Sequence, residues 1–253
     1  MSEPYWQRPV PLAAALLAAA GAAAVTGCGS AGNSATGGPG PAGMTASAGM
    51  AAAPMPGVTG SAAYSATRLR DALLTHVNGK SPAAAAQSGN YGALPDVRSS
   101  KASMTGVTVK PAKCAEATVT GFDSAAFADA PASVVTFRVG RDGVSEVIVA
   151  ASPATAARAL AAKLPSGCAH YHATVAGKTF AYSVKETSVP GIGEQARALN
   201  VKAAGYATVD VWSVVFQASG FVGAVTIVGP DASEHGAMVL AQDAYARAAA
   251  SLH

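Results

Sequence analysis

Apolar and polar positions are spaced differently in successive parts of this chain, and each spacing predicts its own structure. Residues 10–25 are apolar and helix-prone, rich in Ala and Leu and without a polar face. That is shorter than the ~20 residues a helix needs to cross hydrocarbon, so the stretch reads as the apolar core of an export signal. Residues 29–63 carry no apolar period; Gly, Ala, Ser and Pro dominate and none is charged. Such a segment cannot bury enough surface to offset the entropy of ordering it. A flexible spacer is expected, with its ends on the order of 30–40 Å apart.

From Tyr64 the pattern becomes that of a folded domain. Leu69, Leu73, Leu74 and Val77 fall at helical spacing over 64–77, and Asn78-Gly79 supplies a stop. A polar, glycine-containing loop is expected through about Ser103. Residues 106–110, 132–140 and 143–151 have strand chemistry, and Arg141-Asp142-Gly143 marks a hairpin turn between the last two. Residues 153–164 read as a helix with proline in its first turn. Strands are expected at 170–176, 178–187, 196–203, 207–218 and 221–228, several of them separated by Gly177, Gly205 and Gly220. A closing helix over about 232–252 carries Val239, Leu240 and Ala244 on one face. Strands in hairpin succession, with helices early, in the middle and at the end, predict an α+β domain: an antiparallel sheet with helices packed on it. The organisation expected is an export signal at 1–27, a linker at 28–63 and one domain at 64–253.

Composition narrows the function classes. Charged residues are 12% and the net charge is +3, with no block of Lys and Arg. A nucleic-acid groove needs clustered cations, so binding to DNA or RNA is not expected. The signal ends in Val25-Thr26-Gly27-Cys28, which is similar to the bacterial lipobox (aliphatic, small, small, Cys). That similarity implies a diacylglycerol on the Cys28 thiol, cleavage before it, and a domain held on the outer face of the cell membrane.

With Cys28 acylated, Cys114 and Cys168 remain. Outside the cytoplasm an even pair is most simply a disulfide, closing a loop of about 53 residues. The competing reading uses Cys168, His170 and His172, which alternate and would share one face of a strand as ligand types for zinc or copper. A disulfide would consume the thiolate and leave two histidines, a weak site. His76, His235 and His253 are read as surface residues.

Several stretches imitate catalytic motifs. Gly191-Ile192-Gly193-Glu194-Gln195-Ala196 fits G-x-G-x-x-A, yet Pro190 precedes it, strand follows it, and Asp210 falls too early for a ribose partner. Gly177-Lys178-Thr179 has His172 where a phosphate loop needs glycine. Gly143-Val144-Ser145-Glu146 lacks the closing glycine of a nucleophile elbow. Asp123, Asp129, Glu146, Glu186 and Glu194 are scattered. No cofactor and no catalytic residue is assigned, and an enzyme is not expected.

Pro111-Ala-Lys-Cys114, Leu164-Pro-Ser-Gly-Cys168 and Val189-Pro-Gly-Ile-Gly-Glu-Gln-Ala196 together resemble the exported sensor-like domains of actinobacterial lipoproteins, a group related to the extracellular domain of the PknH receptor kinase. The resemblance spans most of residues 67–252. It implies a Cys114–Cys168 pair and a turn at 190–194 leading into an antiparallel sheet. This chain has one candidate disulfide where the kinase-type sensors typically carry two, and lacks their tryptophan before Cys168. The function expected is a lipid-anchored, non-catalytic module that binds a small molecule, lipid or envelope component. Phe180, Tyr182, Trp212, Phe216 and Phe221 are the candidate lining of its cleft. The alternatives are a structural lipoprotein docking to an envelope protein, or an envelope hydrolase. A serine or carboxylate in a cleft within reach of His76, His170 or His235 would favour the hydrolase.

Overall fold

The structure is a computed structural model that describes residues 64–116, 122, 125–204 and 209–252. The export signal, Cys28, the linker and His253 lie outside these residues, as do Asp123 and Gly205. The first helix, α1 (Ala66–Ala72), starts where Ser65 accepts the Arg68 N–H at 3.3 Å, satisfying an otherwise orphaned donor. Its apolar period runs on to Val77 but the helix does not. Leu73 is extended, the Leu74 N–H donates to Glu146 at 2.6 Å, and Arg247 donates to the carbonyls of Leu73 and Asp71. Tertiary hydrogen bonds there replace the helical ones.

The polar stretch through Ser103 is not a loop throughout. It holds strand β1 (Gln87–Asn90) and helix α2 (Pro95–Ser103), whose Asp96 N–H donates to the Gln87 side chain at 3.0 Å. Then follow β2 (Thr108–Lys110), a short 3-10 turn (Ala112–Glu116), α3 (Ala125–Ala128), β3 (Pro131–Val139), β4 (Asp142–Ala150), α4 (Pro153–Ala161), β5 (His170–Val175), β6 (Lys178–Val189), β7 (Gln195–Ala204), β8 (Val209–Ala218), β9 (Phe221–Gly229) and α5 (Glu234–Leu252). The nine strands form one sheet in the order β1-β3-β4-β9-β8-β7-β6-β5-β2, and every neighbouring pair is antiparallel. This is the α+β class that the hairpin succession implied.

Helices cover both faces of the sheet. On the first face α1 and α5 bury Val135, Phe137, Ile148, Trp212, Val214, Phe216 and Phe221. Here α5 turns inward not Val239, which is 43% exposed, but Ala237, Ala241, Ala244, Ala248 and Leu252. Small residues let the helix lie close over a sheet whose bulk comes from aromatic side chains. Phe216 meets Tyr245 edge-on at 6.0 Å. The second face carries two clusters. One packs Tyr91, Leu94, Phe122, Phe127 and the α4 alanines on Val147, Val149, Val215 and Val222. The other gathers Cys114, Cys168, Tyr171, Phe180, Tyr182, Val201 and Val211.

Candidate functional site

The turn between β6 and β7 explains the glycine motif and positions a cleft. Gly191 (φ 83°) and Gly193 (φ 61°) both sit in the left-handed region that side chains avoid. A Cβ on Gly193 would come 2.2 Å from the Gln217 backbone oxygen. The next residue, Glu194, donates its N–H to that same oxygen at 2.9 Å. The motif is therefore a tight connection pressed against β8, with no following helix to hold a dinucleotide. Gly193→Ala is expected to cost at least about 2 kcal/mol of stability, read by denaturant titration, through steric overlap and an unfavourable φ.

Above this turn lies an open cleft of about 680 Å³, bounded by Leu160, Lys163 and Leu164 on one side and by Ser188, Glu194 and Gln195 on the other. Arg197 and Glu186 form its base, paired at 3.1 Å. Arg197 is 8% exposed and also donates to Ala159 O at 3.2 Å and to Ala162 O, the free carbonyls at the C-terminal end of α4. A cation there satisfies orphaned acceptors and complements the helix dipole. Glu186 in turn accepts the Leu164 N–H at 3.3 Å. This clamp fixes the wall to the sheet and leaves Lys163, Ser188, Glu194 and Gln195 as the exposed polar groups. Gln217, opposite Gln195 in register, donates Nε2 to Glu194 at 3.2 Å. Because that carboxylate needs a donor, Oε1 is the remaining atom, and it is buried with no partner among the described residues.

A second cavity, of about 320 Å³, lies where α5 begins. It brings together His76, His235, Ser233, Asp142, Asp231 and Asp243, residues that sequence spacing could not connect. Asp142 is pushed above its ordinary value, chiefly by burial, although the Asp231 N–H at 3.1 Å opposes this. Asp231 is held below its usual range by the Arg141 guanidinium. The Ser233 hydroxyl oxygen accepts the Gly236 N–H at 3.2 Å as a helix cap. Among the described residues no hydrogen bond joins either imidazole to Ser233 or to these carboxylates.

The aromatics proposed as one cleft do not share one. Successive strand residues point to opposite faces, and the register puts Trp212, Phe216 and Phe221 in the core under α1 and α5. Phe180 and Tyr182 lie in the cluster on the other side. All five are under 10% exposed. Tyr182 stacks on Tyr171 at 5.1 Å, and burial raises the pKa of both phenols. Cys114 and Cys168 are joined, with Cα atoms 5.3 Å apart. The thiolate of the metal reading is thus consumed; His170 and His172 are exposed on β5, and among the described residues no three His, Cys, Asp or Glu side chains are placed to hold a metal ion. No helix among those residues is long and apolar enough to cross a membrane. Sequence reasoning missed the cleft because Glu186 and Arg197 meet only once the turn at 190–194 is known to join paired strands. A charge of each sign flanking that turn was the available signal.

Fold and site define a nine-stranded α+β domain with a clamped polar cleft. No family model matches the chain, and neither does any curated protein. Among solved structures it is similar to the extracellular domain of PknH from Mycobacterium tuberculosis at 14% identity and a TM-score of 0.41, over 57% of this chain and 78% of that one. It is also similar to an uncharacterized protein from Mycobacterium smegmatis at 15% identity and a TM-score of 0.38, over 56% and 76% respectively.

Proposed function

We propose that this chain is a non-catalytic binding module outside the cytoplasm, tethered to the membrane through a diacylglycerol on Cys28. Its ligand is a small polar envelope component seated in the cleft between α4 and the β6–β7 turn. The observation that carries the reading is that cleft itself: about 680 Å³, lined by Lys163, Ser188, Glu194 and Gln195 over the paired Glu186 and Arg197. Its lining offers a cation, a carboxylate, a hydroxyl and an amide, a set suited to a molecule rich in hydroxyl and N–H donors. The Cys114–Cys168 bond accords with an oxidising compartment.

Native mass spectrometry of the full chain purified from its own membrane tests the cleft. A bound small molecule is expected in the wild type and absent from Ser188→Trp, which fills the cleft from an exposed position. No bound mass in either protein, or the same mass in both, would remove the assignment. The anchor is tested separately by the mass of the amino-terminal peptide: cleavage before Cys28 and a diacylglycerol on it are expected in the wild type and not in Cys28→Ala, and an uncleaved, unmodified wild type would remove the anchor.

A further inference from the structure

The helices of the first face contact only part of the sheet. α1 lies over β1, β3 and β4, and α5 over β8 and β9. Beyond them, on β2, β5, β6 and the far end of β7, alternate residues of that face are open to solvent. Register sets Lys110 beside His172, and places His170, Ser183 and Lys202 in one row across β5, β6 and β7. Lys185 follows Ser183 by two positions on β6 and so shares the face. With strands about 4.8 Å apart and about 3.4 Å per residue along them, the Cα atoms of these three lysines and two histidines lie within about 17 Å of one another. The acidic side chain next in the row, Asp210, is drawn to Lys202 at 3.4 Å.

An open face on an antiparallel sheet is ordinarily polar, but surfaces usually intersperse the two signs, as Arg70–Asp71 and Arg141–Asp231 do elsewhere on this domain. On this face, among the described residues, Lys202 is paired with Asp210 while Lys110 and Lys185 are in no ion pair. The chain also enters the domain on the same side, since Tyr64 packs on Phe221 of the first face at 6.3 Å. We infer that the face formed by Lys110, His170, His172, Lys185 and Lys202 rests on the anionic headgroups of the membrane to which Cys28 is tethered. The inference takes its location from the anchor reading and is otherwise independent of the cleft. The acyl chains hold the domain at the membrane, and the basic face sets which side lies down.

The test uses the full chain carrying Cys28→Ala, so that no acyl group contributes, with vesicles of phosphatidylglycerol or of phosphatidylcholine. Residues 10–25 contribute alike to every variant and to both lipids. Each lysine at an anionic surface is worth roughly fivefold in binding. K110Q/K185Q/K202Q is thus expected to bind phosphatidylglycerol on the order of a hundredfold more weakly. K80Q/K101Q/R138Q, with the same loss of charge at exposed positions outside this face, is expected to stay within about threefold. Wild-type binding falls steeply with salt. Should the triple variant not fold, the single variants K110Q and K185Q, each about fivefold weaker, carry the same test. Equal binding to the two lipids, or equal losses in the two triple variants, overturns the proposal. A failure here leaves the Cys28 acylation result standing, and a failure of the anchor leaves the vesicle result standing.

Discussion

Replacing both buried cysteines, in C114A/C168A, is expected to lower the stability of the domain by about 4 kcal/mol. The bond joins residues 54 apart in sequence, and closing a loop of that length removes this much entropy from the unfolded chain in the chain-entropy model. Its position concentrates the effect. β2 has three residues and pairs with β5 alone, and the short turn after it carries Cys114. Cys168 immediately precedes β5 and is wholly buried beside the stacked tyrosines. The bond therefore holds the far edge of the sheet to the strand that must support it. Denaturant titration of the oxidised wild type, the reduced wild type and C114A/C168A should give one stable and two destabilised curves. Amide exchange should rise first in β2 and β5, while β8 and β9 at the centre stay protected longest. A stability unchanged by reduction would mean that the edge is held by packing alone.

That edge also shows what the sequence could and could not reveal. Long strands were legible because their turns carried glycine and their apolar positions were dense: β8 and β9 flank Ser219-Gly220, and β3 and β4 flank Gly140-Arg141, where the turn sits earlier than the expected Arg141-Asp142-Gly143 because Asp142 already pairs with Val139. β1 was not legible, since Gln-Ser-Gly-Asn has little intrinsic strand preference and becomes a strand only by pairing with β3. The same holds for α2, whose polar residues show no apolar period and whose start depends on a hydrogen bond to Gln87. In α5 Val239 pointed to the wrong face while Leu240 packs half-buried on the core and Ala244 is buried, because close packing selected the alanines. The cleft was hidden for a related reason. Arg197 is a lone charge in sequence, and only the end of α4 above it gives that charge carbonyls to hold.

The stability of the wild-type domain is expected to fall as pH rises from about 4.5 to about 8, and Glu146→Gln is expected to abolish that component. Glu146 stands on β4 between Val135 and Val225, under α1 and α5, and is 0% exposed. Burial is the dominant influence and raises its pKa from an ordinary 4.5 to about 8, against the smaller opposing effects of the Leu74 N–H and the Arg247 guanidinium. The folded carboxyl therefore keeps its proton at neutral pH while the unfolded one loses it. Below about 4.5 both forms are protonated and the contribution is complete. Through the window to about 8 it declines by roughly 1.4 kcal/mol per pH unit, and above that both forms are ionised. Glutamine has no proton to lose and can keep the hydrogen bond from Leu74 through its amide oxygen. E146Q should thus be roughly 3 kcal/mol more stable than the wild type at pH 7 and nearly equal to it at pH 4.5. Urea titrations of both proteins across that range measure the difference, in which every other titrating group cancels. Parallel profiles would show that the carboxyl is ionised in the folded domain. In that case Arg247, which already holds the carbonyls of Leu73 and Asp71, would have to be its counter-ion. R247M would then destabilise the domain far more at pH 7 than at pH 5, whereas a carboxyl that keeps its proton makes the two losses nearly equal.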